Sequence, residues 1–295
     1  MPKPIPAPRE EGFTTTTGSP IYWAKYGRPN APKLLILHGG PGADHRYLLP
    51  QMLHLGEKHD LLFYDQRGGG RSKADARIPI TWETHVEDLG AVVEELGLDP
   101  LSIVGYSWGA MLGLLYAIEQ GGNPHLRAPD RMALISPAPL TKEYRRQFEA
   151  EFARRQQSPE IQRLREELAA SGLRDRDPEA YRQRAFELGV AGYFSNPRNA
   201  KDLTPFRVVG RVQQSVWESL GDFNLISDLK GIRIPSIIIC GRDDPIPFAS
   251  SSAGASALGT NLVVLDECGH VPYVEQPEKL FTVLDQFLMN PLRPY

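Results

Sequence analysis

Gly105-Tyr106-Ser107-Trp108-Gly109 is the stretch that decides how this chain is read. It has the form G-x-S-x-G. An apolar run, Leu101-Ser102-Ile103-Val104, leads into it, and a helix-like run, Ala110-Met111-Leu112-Gly113-Leu114-Leu115-Tyr116-Ala117, leads out. A strand, a sharp turn and a helix in that order lift the serine oxygen onto an exposed, strained bend. The two glycines keep side chains out of the place where the strand and helix backbones nearly touch. Glycine and serine are common in loops, so an ordinary βα turn carries the same letters. The flanking elements make Ser107 as a nucleophile the better reading.

Outward from that turn, short apolar runs alternate with helical patterns. Pro20 to Tyr26, Lys33-Leu34-Leu35-Ile36-Leu37-His38, Asp60-Leu61-Leu62-Phe63-Tyr64-Asp65, Leu101 to Tyr106 and Arg131-Met132-Ala133-Leu134-Ile135-Ser136 read as strands. Continuous apolar runs of this length suit strands covered on both faces. Thr81 is placed to cap a helix that runs to about Leu96 and closes at Gly97. Pro235-Ser236-Ile237-Ile238-Ile239-Cys240 and Leu262-Val263-Val264-Leu265 are the last two strands, and Gln276 to Met289 is an amphipathic closing helix. Alternating β and α elements predict a mostly parallel central sheet with helices on both faces.

The pattern breaks in the middle. From Thr141 to about Glu187 the chain is rich in Arg, Glu and Gln, with helical spacing at Leu164, Leu168 and Leu173 and again at Tyr181, Phe186 and Leu188. Asp177-Pro178 and Asn196-Pro197 mark breaks between helices. Acidic and basic residues nearly balance there, which points to solvated helix faces. The reading is an inserted helical cap over 139–225, between core segments 1–138 and 226–295.

Composition bounds the function. A net charge of -3 gives no electrostatic ground for a nucleic-acid or anionic-membrane partner. No apolar run approaches the ~20 residues of a spanning helix. The proline-rich stretch Met1 to Pro8 lacks a signal-peptide core and reads as an extended arm, so a cytoplasmic location is expected. Cys240 and Cys268 each fall near the end of an apolar run and read as buried, reduced thiols; their spacing fits no zinc pattern, and no metal or organic cofactor is expected.

A serine hydroxyl needs a base within hydrogen-bond reach, and that base needs an orienting acid. Of the seven histidines, His270 in Asp266-Glu267-Cys268-Gly269-His270 follows the last strand and is the candidate base. His45, His54, His59, His85 and His125 read as helix or polar-surface residues. Asp243 and Asp244, after the penultimate strand in Cys240-Gly241-Arg242-Asp243-Asp244-Pro245, compete as the acid. His38-Gly39-Gly40-Pro41-Gly42 can bring backbone N–H groups close to a developing oxyanion; the N–H groups of Gly40 and Trp108 are the candidate donors. No Gly-Lys-Ser/Thr follows those glycines, which argues against a phosphate loop.

Together these residues resemble the α/β-hydrolase superfamily over nearly the whole chain, and within it the proline iminopeptidase family. The likeness rests on His38-Gly39-Gly40-Pro41-Gly42, Asp65-Gln66-Arg67-Gly68-Gly69-Gly70-Arg71-Ser72, Gly105-Tyr106-Ser107-Trp108-Gly109, Gly241-Arg242-Asp243-Asp244 and Cys268-Gly269-His270. The resemblance implies an α/β-hydrolase fold and assigns Ser107, Asp244 and His270 as the triad, in the order of that fold. It implies a serine hydrolase that releases an N-terminal residue, often proline, from short peptides. It also implies carboxylates that receive the substrate's α-ammonium, with Glu218 of Val216-Trp217-Glu218 first, Asp222 second, and Gly39 and Trp217 beside the substrate. A subset of the family carries Glu directly after the triad acid, where this chain has Pro245. Glu275 reads as a helix-entry carboxylate, and Asp65 and Arg67 as charges that pair or cap loops beneath the site. An esterase of small esters is the alternative, and a non-catalytic binding protein on the same fold is a third reading that the Ser-Asp-His set argues against.

Overall fold

A computed structural model describes residues 4–289. Residues 1–3 of the expected N-terminal arm and the last six residues of the expected core lie outside that range. Eight strands form one sheet in the order β1-β2-β4-β3-β5-β6-β7-β8. They are β1 (Glu10–Phe13), β2 (Tyr22–Gly27), β3 (Lys33–Leu37), β4 (Asp60–Tyr64), β5 (Ser102–Tyr106), β6 (Arg131–Ile135), β7 (Ser236–Gly241) and β8 (Asn261–Leu265). β3 through β8 run parallel, while β2 is antiparallel to both β1 and β4.

Strand periodicity sorts the core into two layers. Leu35, Leu37, Ile103, Leu134 and Ile238 pack on one face. Their strand neighbours Leu34, Ile36, Val104, Ala133 and Ile239 pack on the other. The first face is covered by α1 (Trp82–Glu95) and α2 (Trp108–Gly122). Thr81 does cap α1: its hydroxyl accepts from the Thr84 N–H, and the Thr84 side chain returns the bond. Gly97, at φ 57°, turns the chain out of the helix.

Between β6 and β7 the chain forms α3 (Lys142–Gln156), α4 (Pro159–Ala170), α5 (Leu173–Arg176), α6 (Pro178–Val190), α7 (Gly210–Ser219) and α8 (Ile226–Leu229). Leu164, Leu168 and Leu188 make a small core of their own there, with Leu173 and Tyr181 against it. Ser158 and Asp177 cap the helices that begin at Pro159 and Pro178. The segment leaves and rejoins the sheet at one place, where Lys142 N–H donates to Phe223 O at 3.0 Å and Leu225 N–H to Leu140 O at 3.0 Å. After β7 come α9 (Phe248–Leu258), α10 (Pro272–Glu275) and α11 (Pro277–Met289), with Leu280 and Leu284 of α11 wholly buried under the second face.

β1 has no counterpart among the expected strands. Its Glu-Glu-Gly-Phe sequence is exposed except for a half-buried Gly12, so it has no buried alternation to read. Three histidines expected in helical or surface settings, His45, His59 and His85, are buried.

Candidate active site

The site gathers at the carboxyl ends of β3, β5, β7 and β8, where ligands bind in parallel sheets. Ser107 joins β5 to α2 at φ 55° and ψ −118°, a conformation that ordinary residues avoid. The glycines around it answer to close packing. A Cβ on Gly105 would stand 2.6 Å from Ala110 Cα, and one on Gly109 would stand 2.2 Å from Leu37 O. Ser107 N–H donates to Ile135 O at 2.9 Å, and Ser107 O accepts from Ala138 N–H at 3.0 Å, so the neighbouring strand holds the bend in place.

His270 meets Ser107 from the loop after β8. Its Nε2 lies 2.9 Å from Ser107 Oγ, and its Nδ1 lies 2.9 Å from Asp244 Oδ2. A carboxylate only accepts, so Nδ1 carries the proton and Nε2 is left to accept from the serine hydroxyl. Asp244 Oδ1 accepts from the Ile246 N–H at 2.8 Å, which turns the carboxylate toward the histidine. His270 N–H donates to Tyr193 O at 2.7 Å. The ring sits between the rings of Tyr106 and Tyr193, with centroids at 5.4 and 5.3 Å. The adjacent Asp243 has another use: its Oδ2 accepts from Ser195 Oγ at 2.8 Å and its carbonyl from Arg155 Nη1 at 2.5 Å.

Gly40 lines the same cavity as Ser107 and His270. Among the described residues neither the Gly40 N–H nor the Trp108 N–H has a hydrogen-bond partner. The Trp108 N–H opens a helix of 15 residues, where orphan donors and the dipole favour negative charge. Gly39 differs from its expected place beside the substrate. Its N–H donates to Tyr47 Oη at 2.6 Å, and it is buried. A Cβ there would come within 2.7 Å of Tyr47 Oη and 3.0 Å of Ser107 Cβ, so the missing side chain makes room for the serine.

A brace lies beneath these groups. Trp108 Nε1 donates to Gln66 Oε1 at 2.9 Å, and Gln66 Nε2 donates to His38 O at 2.7 Å, linking the start of α2 to the end of β3. Asp65 and Arg67 do not pair with each other. Asp65 accepts from His45 N–H, His45 Nδ1 and the Arg71 N–H at 3.0, 2.7 and 2.8 Å. Burial works to raise its pKa, but His45, His38 and the Arg71 N–H together outweigh burial and hold the carboxyl below its usual range. Arg67 donates from Nε and Nη2 to both oxygens of Asp88 on α1, at 2.8 and 2.5 Å.

The cavity has a volume of about 550 Å³ and lies between the strand ends and helices α3 and α7. Phe148, Phe152, Tyr193 and Trp217 give it an aromatic wall, and Arg145 and Glu149 bring charge to it. Glu218 is not part of the lining; it is exposed and accepts from Gln214 Nε2 at 2.7 Å. Gly210, Gln213, Gln214 and Trp217 form the cavity-facing stripe of α7, and each residue turns the helix by about 100°, so Glu218 stands about a quarter-turn off it. Asp222 is exposed and pairs with Lys142 at 3.5 Å, which places the second candidate carboxylate in solvent.

Glu275 is neither a helix-entry charge nor open to a ligand. It accepts from the backbone N–H groups of Gly269 at 2.6 Å, Ser195 at 3.1 Å and Asn196 at 3.2 Å, and from Asn199 Nδ2 at 3.3 Å. Burial raises its pKa while these donors pull it down. It therefore ties the β6–β7 insertion to the loop that carries His270. Cys240 and Cys268 are buried and unbridged, and burial raises both thiol pKa values, Cys240 to about 11. Among the described residues no cluster of His, Cys, Asp and Glu could hold a metal ion, and no helix is long and apolar enough to cross a membrane.

Sequence reasoning missed Tyr47, Tyr193, Arg145 and Glu149. Tyr47 and Tyr193 act by packing and by single hydrogen bonds, for which the sequence gives no signal. Gln66 lies in the Asp65-to-Ser72 segment, and an uncharged amide between Asp65 and Arg67 carries no sequence signal for its bonds to Trp108 and His38.

A mostly parallel sheet that brings Ser107, His270 and Asp244 together over a pocket defines an α/β hydrolase. The chain belongs to the alpha/beta hydrolase family, whose sequence profile matches residues 34–283, and it is a hydrolase. In sequence it is similar to proline iminopeptidases. One, from Thermoplasma volcanium, is 27% identical over 95% of this chain and 96% of its own length. Another, from Heyndrickxia coagulans, is 27% identical over 94% and 98%. Among solved structures, a proline iminopeptidase-related protein from Thermus thermophilus superposes with a TM-score of 0.70 at 23% identity, over 95% of this chain and 96% of that one. An enol-lactonase from Burkholderia xenovorans superposes at 0.66 with 19% identity, over 95% and 100%. Both structural likenesses speak to the fold alone.

Proposed function

We propose that this chain is a serine hydrolase working through an acyl-enzyme. The observation that carries the reading is the unbroken pair of contacts from Ser107 Oγ to His270 Nε2 and from His270 Nδ1 to Asp244 Oδ2, each 2.9 Å. Ser107 Oγ attacks a carbonyl carbon as His270 Nε2 takes its proton. The N–H groups of Gly40 and Trp108 receive the oxyanion. Asp244 steadies the imidazolium, which then protonates the leaving group. Water enters by the same route in reverse and frees the acid. The segment 139–225 acts as a cap whose helices α3 and α7 close the pocket and limit substrate size.

The substrate class that the sequence likeness favours is a short peptide, from which an N-terminal residue such as proline is released. A second reading, hydrolysis of small carboxylic esters, has a specific observation behind it. Glu218 and Asp222 lie outside the cavity, and Glu149 within it is already paired with Arg145 at 2.8 Å, so among the described residues no unpaired carboxylate lines the cavity for an α-ammonium. An unpaired ammonium in a closed pocket is costly. Comparing prolyl arylamides with short-chain nitrophenyl esters decides between the two. The peptidase reading expects arylamide turnover at least comparable to ester turnover, and ester cleavage with no arylamide cleavage rejects it.

A further inference from the structure

The cavity that holds Ser107 and His270 also holds an ion pair with an incomplete set of bonds. Arg145 Nε donates to Glu149 Oε1 at 2.8 Å, one turn along α3. The guanidinium carbon lies 4.3 Å from the centroid of the Trp217 ring, and Trp217 in turn packs on Trp108, beside the nucleophile, with ring centroids 5.4 Å apart. The guanidinium is thus held over the indole ring and tied through its Nε to Glu149. Among the described residues its two terminal nitrogens donate to nothing.

Other arginines of α3 show what a purely structural role looks like. Arg154 pairs with Glu151 in solvent at 71% side-chain exposure. Arg155 uses Nε on Glu151 and Nη1 on the Asp243 carbonyl, so it pins the helix to the acid loop. Arg145 does neither. It is only 30% exposed, lines the reaction cavity and keeps its fork of donors open. A planar guanidinium with both terminal nitrogens open matches a carboxylate, which takes two parallel N–H bonds.

We infer that Arg145 binds a carboxylate of the substrate, with Glu149 and Trp217 as the residues that orient it. This rests on the hydrolase reading of the site but not on the choice between amide and ester. Two kinds of substrate supply the group: a di- or tripeptide carries it on the leaving side as its C-terminus, and a half-ester of a dicarboxylic acid carries it on the acyl side.

Matched pairs test the assignment. One pair is a prolyl dipeptide and its C-terminal amide; the other is nitrophenyl hydrogen succinate and its methyl ester. The charged-to-neutral ratio of kcat/KM should exceed unity in at least one pair, and the pair that shows it identifies the side of the scissile bond. Arg145→Gln should lower that ratio at least tenfold, through KM, and Arg145→Lys should lie between, because it keeps charge but loses the fork. Calorimetric binding of the same pairs to Ser107→Ala supplies a readout that needs no turnover. Absence of all hydrolysis counts against the hydrolase reading, while the binding ratio still judges Arg145. No preference for the charged member in either pair, or a ratio left unchanged by Arg145→Gln, overturns the inference.

Discussion

At His270 two hydrogen bonds select one tautomer, and the proposed chemistry depends on that selection. Asparagine at 244 offers an N–H that cannot accept from Nδ1–H, so the ring turns its proton to Nε2 and loses its lone pair toward Ser107. Asp244→Asn should therefore lower kcat on a nitrophenyl ester by about 10³–10⁴-fold with KM little changed. Activity within tenfold of the unaltered enzyme would remove the orienting role. The positions of these residues were largely legible in the sequence. Ser107 and His270 follow strand ends beside glycines, a placement that few surface residues share. Asp243 and Asp244 were inseparable by that criterion, because adjacent residues on a turn aim at different partners, here Ser195 and His270. Glu218 was misplaced because a Trp-Glu pair does not reveal the phase of its helix. Arg145 and Glu149 stayed hidden because a polar helix face reads the same whether it meets water or a cavity.

The β5–turn–α2 element carries Ser107, the proposed nucleophile, and its glycines make opposite predictions. At Gly109 a methyl group would meet the Leu37 carbonyl at 2.2 Å, and backbone there cannot yield without moving β3. Gly109→Ala should cost about 1–3 kcal/mol or more in stability. Gly121, near the end of the same helix, has nothing within 4 Å of the corresponding position. Gly121→Ala should raise stability by about 0.5–1 kcal/mol, since alanine loses less freedom in a helix. Urea midpoints of the two variants check both signs; equal effects would show that the close approach at Gly109 is not a constraint. Elements were well read where burial shaped the sequence, as in β3 through β8 and in Thr81-capped α1. β1 escaped because an exposed edge strand is held by backbone bonds to β2 and leaves no apolar alternation.

Across the whole molecule, residues 107, 244 and 270 converge because β5, β7 and β8 run parallel and end at the same edge of the sheet, and buried imidazoles underlie that arrangement. His38 and His85 are wholly buried, and burial pulls both below the usual histidine pKa, His85 to about 4. The unfolded chain takes up these protons near pH 6.5 while the folded one resists. Stability is thus fully present above about pH 6.5 and is lost as pH falls toward 4, with His85 alone contributing on the order of 3 kcal/mol. Denaturant midpoints between pH 7 and 4.5 should fall, with a shallower slope in His85→Gln; a flat profile would contradict the burial of these neutral rings. Covalent trapping tests whether Ser107 is the acylated nucleophile. After exposure to a fluorophosphonate, peptide mass spectrometry should find one adduct, on Ser107, that Ser107→Ala abolishes. An adduct on another residue, or ester hydrolysis that persists in Ser107→Ala, would exclude Ser107 as the nucleophile.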